Sequence, residues 1–420
     1  MSATRHPVPQ KIVVVGAGLV GLAIAWHLGR RGAAVTVIDP QAPGSQCSYG
    51  NAGALSPGSV APIAMPGILR NLPRMLFDRN SGVYVPPRYW WRVLPWLAAF
   101  LAQARPDRVE SIAARHAPLL LPALDRHRDM AAAIGGSDLL RVVGQLHVYR
   151  DDAQFQAAWP VWALRQHYGT EVQRLDRAGI AALEPEVGPD YRLGVFLPRL
   201  GHLANPIRYS GLIADAVAQQ GGMLLRARVD ALLAAQGRVT GVRVGTETIM
   251  ADAVVVAAGA WSARLLRPLG IRVPMETQRG YHVELPPDSL GIGRIVAPYD
   301  AKAFITPMEP ALRIAGTVEM AGLDAPPSPH RAEVLMAGLV KAFPQLAGQR
   351  PLRTWMGHRP CLPDSMPVIG PSARFAGLWF GFGHGHLGVT SSAVTGDVLA
   401  AAMLDEVPKL DLGAYALERF

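Results

Sequence analysis

The segment KIVVVGAGLVGLAIAWHL, residues 11–28, has the residue types and spacing of a phosphate-binding turn. A strand-like apolar run precedes Gly16, Gly18 and Gly21, and a helical pattern follows. Glycines at this spacing allow a tight turn, so that the helix N-terminus can present N–H groups to a pyrophosphate. Asp39 ends the next strand-like run, where a carboxylate would accept hydrogen bonds from a ribose. This βαβ unit predicts a dinucleotide site that also includes Leu19, Val20 and Pro40.

A second glycine-rich segment, GFGHGHLGVTSS over residues 381–392, places two histidines one residue apart. A metal site would need further His, Cys or carboxylate ligands at regular spacing, and residues 375–396 supply none. The pattern is typical of a strand, a glycine loop and a helix, with Thr390, Ser391 and Ser392 as candidate N-caps. We therefore predict a backbone cradle and no metal.

Composition narrows the class of protein. A chain of 420 residues with 50% hydrophobic and 17% charged side chains is too apolar for disorder and long enough for two domains. The formal charge of +9 comes from arginines scattered along the chain, so no nucleic-acid partner is expected. Cys47 and Cys361 are the two cysteines, which favours a reducing, cytoplasmic compartment and supplies neither a disulfide framework nor a thiolate metal site.

Three more segments lie at intervals along the chain: SYGNAGALSPGSVAPIAMPG, VVVAAGAWSARLLRPLGI and WMGHRPCLPDSMPVIG. Together with the two glycine segments above, they resemble the FAD-dependent D-amino-acid oxidase superfamily. Within that superfamily the pattern is most similar to the small subunit of bacterial D-amino-acid dehydrogenase. The resemblance covers nearly the whole chain and is weaker over residues 70–200.

The resemblance implies an α/β fold with an FAD-binding, Rossmann-like domain of the glutathione-reductase type. This domain would comprise residues 11–69, 201–275 and 356–410, after an N-terminal tail of residues 1–10. A discontinuous α+β substrate-binding domain would comprise residues 70–200 and 276–355. It would be built on an antiparallel sheet, with short strands near residues 292–297, 302–307 and 311–318.

The same resemblance implies FAD as the cofactor and assigns residues to its parts. Val229, in the predicted strand RARVDAL, would offer its backbone to the adenine. His386 departs from the dehydrogenase pattern, in which a small residue is common at that position. The remaining cofactor residues are Ser48, Asn51, Ala52, Gly53 and Leu55 over the flavin ring, Ala258, Gly259 and Trp261 along the pyrophosphate and ribityl chain, and Gly383, His384, Gly385, His386, Leu387 and Gly388 at the pyrimidine end.

FAD would perform the redox step, so the protein would need to hold an amine and its carboxylate in place. Arg359 stands where the similar dehydrogenases carry the arginine that binds the substrate carboxylate. Tyr281 is the second candidate for a substrate contact, with Arg279 on the same strand face. His282, on the opposite face, is a candidate for amine deprotonation, and Phe304 is expected on the active-site side.

The leading functional hypothesis is oxidation of a D-amino acid, or of a D-hydroxyproline-like imino acid. Hydride transfer from Cα to flavin N5 would give the imine and then the 2-oxo acid. Oxidation of glycine, sarcosine or an opine is the alternative. A tRNA-modifying flavoenzyme is a more distant one, suggested by the pI of 9.9, but the methyltransferase domain of those enzymes would need a nucleotide-binding motif before Gly16.

The segment Tyr84–Arg108 combines arginines and tryptophans around a short apolar helix. This pattern is typical of a helix at a lipid interface, and equally of a helix packed on the FAD domain. The first interpretation implies peripheral attachment to the inner face of the cell membrane and a quinone or other acceptor for the electrons. No run of residues is long and apolar enough to predict a membrane-spanning helix.

Overall fold

The computed structural model describes residues 10–68 and 77–420. Most of the predicted tail, residues 1–9, and the domain boundary predicted at residues 69 and 70 lie outside the described residues. The helices are α1 (Leu19–Arg30), α2 (Trp90–Leu101), α3 (Pro106–Leu120), α4 (Ala123–Ala133), α5 (Asp152–His167), α6 (Arg177–Leu183), α7 (Pro206–Gln219), α8 (Ser262–Leu266), α9 (His330–Ala342) and α10 (Gly388–Met403).

The strands are short and are distributed along the whole described chain. They are β1 (Lys11–Val15), β2 (Ala34–Asp39), β3 (Ala54–Leu55), β4 (Val83–Tyr84), β5 (Leu140–Arg141), β6 (Gln145–Tyr149), β7 (Gln173–Leu175), β8 (Leu193–Leu197), β9 (Gly201–Leu203), β10 (Met223–Arg226), β11 (Ala231–Ala235), β12 (Arg238–Val244), β13 (Glu247–Met250), β14 (Ala253–Val256), β15 (Glu276–Leu285), β16 (Ile295–Pro298), β17 (Ala303–Pro307), β18 (Leu312–Met320), β19 (Arg353–Cys361), β20 (Val368–Pro371) and β21 (Leu378–Phe382).

One sheet has the order β10-β2-β1-β14-β21-β20. Every pair in it is parallel except β20 with β21. The central strands β1 and β14 are nearly continuous valine and isoleucine runs, as expected of parallel strands that are covered on both faces. Helix α1 packs against both α10 and α7, and the first two strands with α1 confirm the predicted βαβ unit.

A larger sheet has the order β19-β15-β18-β17-β16-β6-β8-β7, with β4 paired to β18. The predicted antiparallel arrangement holds except where β16 meets β6 and β4 meets β18, which pair in parallel. Helix α9 covers one face, where Val283, Ile314 and Leu339 form part of an apolar core. Because β19 belongs to this sheet, the domain boundary predicted at residue 356 falls inside a strand.

Two three-stranded sheets complete the described strands, with the orders β11-β12-β13 and β3-β9-β5. The structure corrects one local prediction here: Val229 lies between β10 and β11 and belongs to neither strand. The connection leaves β10 at Arg226, and Ala227 donates its N–H to the carbonyl of Asp39 at the end of β2. Val229 therefore stays beside the end of β2 in an irregular segment.

Helix α2 lies within the aromatic segment Tyr84–Arg108 and has two different faces. Val93, Trp96 and Phe100 are buried against Met320 and the adjoining residues. On the outer face Trp91 is 67% exposed and Leu94 is 59% exposed. Within the described ranges, no helix combines the length and apolar composition that crossing a membrane requires.

Candidate active site

A cavity of about 1450 Å³ is lined by the carboxyl ends of β1, β2, β14 and β21 and by residues of β15, β17, β18 and β19. Pockets for a single small molecule usually have volumes of about 300–1,000 Å³. The cavity therefore has room for a dinucleotide and a second small molecule. It lies at the carboxyl edge of the parallel strands, where ligands bind in open α/β sheets.

The first glycine turn forms one end of the cavity. Gly16 has a φ of +114°, and a Cβ atom there would lie 2.4 Å from the Ala257 carbonyl oxygen. A Cβ at Gly21 would lie 1.9 Å from the Gly16 carbonyl oxygen, so this glycine lets α1 pack against the turn. Gly18, the N-cap of α1, has no capping side chain, and the Leu19 N–H donates to Ser48 Oγ at 2.9 Å. The helix N-terminus thus opens onto the cavity.

Asp39 lies at the end of β2 and lines the same end of the cavity. Its Oδ2 accepts a hydrogen bond from the Ala17 N–H and its Oδ1 accepts one from the Gln41 N–H, each at 2.8 Å. A carboxylate has about four acceptor positions, so these two bonds leave capacity for ribose hydroxyls. The Ala17 contact also fixes the carboxylate against the glycine turn.

The second glycine turn leads into α10, which begins at Gly388 with Leu387 as its N-cap and no capping side chain. The prediction that Thr390, Ser391 and Ser392 cap this helix is wrong. Thr390 Oγ1 donates to the Ala54 carbonyl at 3.1 Å, and the two serines donate to backbone carbonyls next to the helix start. The first N–H groups of α10 therefore remain available to a ligand in the cavity.

The two histidines of this turn have side-chain partners. His384 Nε2 is 3.0 Å from Thr395 Oγ1, and His386 Nε2 is 2.9 Å from Gln278 Oε1. Burial lowers the pKa of each imidazole to about 3, so both are neutral at physiological pH. In the part of the chain that the structure describes, no three His, Cys, Asp or Glu side chains are grouped to hold a metal ion.

Arg359 reaches the cavity from β19, as the sequence predicts. Its guanidinium lies over Gly280, and its Nη1 donates to the Thr317 carbonyl at 2.9 Å. No described carboxylate forms an ion pair with it, and residues 1–9 and 69–76 contain no Asp or Glu. Burial lowers the pKa of Arg359, but a guanidinium keeps its charge at neutral pH. The Arg359 guanidinium is thus a cation in the cavity that is not paired with any carboxylate of the described residues.

Tyr281 is not among the residues that line the cavity, which corrects the prediction of a substrate contact. Its hydroxyl donates to Glu319 Oε2 at 2.5 Å and accepts from the Ser328 N–H at 3.0 Å. Arg279 Nη1 lies 3.2 Å from the same carboxylate oxygen, so residues 279 and 281 share a face as predicted. That face packs toward α9, away from the cavity.

His282 lies on the strand face that turns toward the cavity, but other residues cover it. Its Nδ1 is 3.1 Å from the Gly50 carbonyl oxygen, and its ring stacks on Trp355 with centroids 5.1 Å apart. Burial, followed by the charge of Arg313, lowers its pKa to about 4. Because Gly50 and Trp355 line the cavity in its place, His282 does not reach an amine there.

Most of the predicted cofactor residues meet in this one cavity. Three do not line it: Gly21 packs against the first turn, Gly53 lies against Leu203, and Leu55 is fully buried in the core. Phe304, expected on the active-site side, also lines the cavity. The predicted cofactor residues that line the cavity are Gly16, Gly18, Leu19, Val20, Asp39, Pro40, Ser48, Asn51, Ala52, Val229, Ala258, Gly259, Trp261, Gly383, His384, Gly385, His386, Leu387 and Gly388.

Sequence reasoning missed other residues of the site. Gln278 and Gly280 lie on β15, the strand from which Tyr281 was predicted to contact the substrate. Side chains alternate along a strand, so residues 278 and 280 face the cavity and Tyr281 faces away from it. Ser59 and Arg165 also line the cavity, from a loop and from α5. No local pattern marks either of these two, since their shared position depends on contacts between distant segments.

Comparisons with known proteins show the family to which the chain belongs. The family model described as FAD dependent oxidoreductase matches residues 11–402. A Bradyrhizobium diazoefficiens protein named D-amino-acid oxidase is 35% identical over 99% of this chain and 100% of its own length. A Cereibacter sphaeroides protein named D-amino acid dehydrogenase is 32% identical over 98% of this chain and 95% of its own. The glycine oxidase structure from Geobacillus kaustophilus has a TM-score of 0.77 at 20% identity and covers 98% of this chain and 99% of its own.

Two helix N-termini that open onto one long cavity are typical of an oxidoreductase that binds a dinucleotide. The chain belongs to the family of FAD dependent oxidoreductases, and its cofactor is FAD. The residues present fit this cofactor. No side chain caps the first N–H groups of α10, and in the first turn of α1 the N–H groups that follow Leu19 have no side-chain partner among the described residues. Asp39 retains acceptor capacity beside the first turn.

Proposed function

We propose that this enzyme oxidises D-amino acids, or D-hydroxyproline-like imino acids, to the imine, which water converts to the 2-oxo acid. The observation that carries the proposal is the unpaired guanidinium of Arg359 in the FAD cavity. An α-carboxylate matches a guanidinium in charge and in bidentate geometry. The names of the two curated relatives support the D-configuration.

In this mechanism Arg359 binds the carboxylate and orients the substrate along β15. The nearby positive charge also lowers the pKa of the substrate ammonium group, so that its proton leaves to solvent before oxidation. FAD would be held by the helix N-termini of α1 and α10 and by Asp39, and would supply the hydride acceptor for the substrate Cα–H. The N–H groups at the start of α10 stabilise negative charge at that end of the cavity. His386, neutral and held by Gln278, adds no charge that would compete with them.

Reduction of the purified yellow protein under anaerobic conditions tests the proposal. The panel contains D- and L-amino acids, D-hydroxyproline, glycine, sarcosine and an opine. We expect bleaching by D-amino acids and not by their L-enantiomers. Bleaching by glycine, sarcosine or the opine alone would favour the alternative amine substrates, and no bleaching by any of them would exclude amino-acid oxidation. Salt-dependent retention on tRNA would support a nucleic-acid substrate instead.

We further propose that the electrons pass to a quinone at the surface of a membrane, on which the enzyme is peripherally bound. The outer face of α2 supports this proposal, because Trp91 and Leu94 are exposed beside Arg88 and Arg92. The Arg92 guanidinium carbon lies 4.8 Å from the centroid of the Trp91 ring. Aromatic and cationic side chains together suit the interface of an anionic bilayer. Faster reoxidation by a soluble quinone than by oxygen is the expected result, and the reverse would contradict it.

A further inference from the structure

Among the residues that the structure describes, four arginines line the cavity, and they fall into two groups. Arg228 Nε lies 3.1 Å from Asp230 Oδ1, and Arg264 is paired with Asp324. Arg359 and Arg165 have no carboxylate partner among the described residues, and the undescribed segments contain no Asp or Glu. Arg359 is assigned to the substrate carboxylate. Arg165 therefore remains as a second cation in the cavity without an assigned partner.

Arg165 projects from the last turns of α5 and is held in place by neutral groups. Its Nη2 donates to Ser59 Oγ at 3.0 Å, and its guanidinium carbon lies 4.8 Å from the centroid of the Trp162 ring. Its Nε is buried without a hydrogen-bond partner in the described part of the chain. Burial lowers its pKa to about 10, so the group remains charged at neutral pH.

A buried cation without an anion is unfavourable, because it loses hydration and gains no compensating charge. A ligand anion in the cavity would supply both the charge and the missing acceptor for Nε. Asp300 also lines the cavity, but its carboxylate already accepts from Tyr191 at 2.7 Å and lies 3.0 Å from Arg150. Among the described residues, therefore, no carboxylate neutralises the charge of Arg165.

The two unpaired arginines lie at different positions along the larger sheet. Arg359 lies over Gly280 in β15. Arg165 packs on Trp162, and the ring of His147 connects Trp162 to Phe304 in β17, with centroids 4.7 Å from Trp162 and 5.9 Å from Phe304. Strand β18 separates β15 from β17, and two strand spacings are about 10 Å. A molecule that binds both cations must therefore be extended and must carry two separated anionic groups.

From these contacts we propose that Arg165 determines substrate specificity by binding a second anionic group on the substrate. The inference rests on the proposed function and narrows it to amino acids whose side chain ends in a carboxylate. The α-carboxylate binds Arg359, and the side-chain carboxylate extends past Phe304 toward Arg165 and Ser59. Longer acidic side chains span the separation better than short ones.

The test compares kcat/KM for matched charged and uncharged substrates, D-glutamate with D-glutamine and D-2-aminoadipate with D-norleucine. The wild-type enzyme is expected to prefer the acidic member of each pair, and the longer acid over the shorter. Arg165→Met is expected to lower kcat/KM for the acids about 10- to 100-fold and to leave the uncharged substrates within about threefold. Arg165→Lys, which keeps the charge, is expected to recover part of the preference. Arg174→Met is the matched control, because Arg174 is exposed, contacts Trp159 and does not line the cavity.

Failure of this inference can be distinguished from failure of the proposed function. If uncharged D-amino acids are oxidised without any preference for the acids, or if Arg165→Met lowers all substrates equally, the role of Arg165 is refuted and the proposed function stands. If no D-amino acid is oxidised, calorimetric titration of the FAD-bound protein with adipate and hexanoate decides. Tighter binding of adipate that Arg165→Met abolishes supports the second anion site, and equal binding of the two acids overturns it.

Discussion

The guanidinium of Arg359 occupies the space above Gly280 on the neighbouring strand. A Cβ atom at position 280 would lie 2.3 Å from Arg359 Cζ and 2.4 Å from its Nη2. Because Gly280 has no side chain, the guanidinium of Arg359 can lie against the backbone of β15. The Thr317 carbonyl on β18 then fixes its orientation.

Replacing Gly280 with alanine is expected to displace this guanidinium. Because the surrounding strands pack closely, we expect KM for an amino-acid substrate to rise about tenfold or more, with FAD content unchanged. Gly211→Ala is the control, since a Cβ there would meet no atom within 4 Å and alanine favours the helix α7. Steady-state kinetics and the flavin-to-protein absorbance ratio measure both effects. An unchanged KM in Gly280→Ala would show that the position of Arg359 does not control binding.

Arg359→Met removes the cation that we propose binds the substrate carboxylate. We expect kcat/KM to fall by about 100-fold or more, because a buried charge-assisted hydrogen-bond pair is lost while the substrate carboxylate is still desolvated. The loss should appear mainly in KM, and Arg359→Lys should recover part of it. Amines without a carboxylate are the internal control, since their slow oxidation should not change. Kinetics that do not differ from wild type would remove Arg359 from the site.

The raised pKa of Glu276 predicts that folding stability depends on pH. Its side chain is 8% exposed and accepts hydrogen bonds from the Tyr89 hydroxyl at 3.1 and 3.2 Å, and burial raises its pKa to about 7 from an ordinary 4.5. Between these values the folded state binds more protons than the unfolded state, so the free energy of unfolding falls as the pH rises from 4.5 to about 7. Ionisation of Glu276 lowers the free energy of unfolding by roughly 3 kcal/mol over this pH range.

Denaturant unfolding at pH 5 and pH 8 measures this effect as a difference between variants. Glu276→Gln is expected to reduce the loss of stability between the two pH values relative to wild type, because glutamine keeps the acceptor for Tyr89 and does not ionise. Glu247→Gln, at an exposed position on β13, is the control and should retain the wild-type difference. If both variants lose the same stability between pH 5 and pH 8, the pH dependence does not come from Glu276.

The outer face of α2 predicts binding to anionic vesicles. We expect the double variant Trp91→Ser, Leu94→Ser to lose about tenfold or more in vesicle affinity, because two large exposed apolar side chains are removed. Co-sedimentation with phosphatidylglycerol vesicles measures it, with phosphatidylcholine vesicles and high salt as weaker-binding comparisons. Leu352→Ser is the control, since Leu352 is also 67% exposed but lies beside β19. Absence of the wild-type protein from both pellets would oppose attachment to a membrane.

The sequence was sufficient for the parts of the site that depend on local turns. Gly16 and Gly18, and likewise Gly385 and Gly388, lie in strand–turn–helix units whose spacing is visible in a short segment. The sequence was not sufficient to predict parts of the site that depend on contacts between distant segments. Tyr281 and Gly280 alternate along one strand, and the sequence does not say which face α9 covers.

Two other differences have the same physical origin. Thr390 has the composition of an N-cap, but its hydroxyl is bound to Ala54, which lies 336 positions away in the chain. Arg165 has no recognisable sequence pattern around it. Its proposed role depends on the absence of a carboxylate partner among the described residues. Long-range contacts of this kind are fixed only when the sheets assemble.

The place of β21 in the smaller sheet has a consequence for how the enzyme acquires its cofactor during biosynthesis. The N-terminal turn at Gly16 and the turn at Gly385 line one cavity, and β14 lies between β1 and β21. A nascent chain still on the ribosome therefore exposes an incomplete site until residues 381–403 have emerged. We expect loading with FAD to follow synthesis of α10, after which FAD stabilises the finished fold by mass action. We expect a chain truncated before Gly381 to lose the second turn, and flavin capture with it.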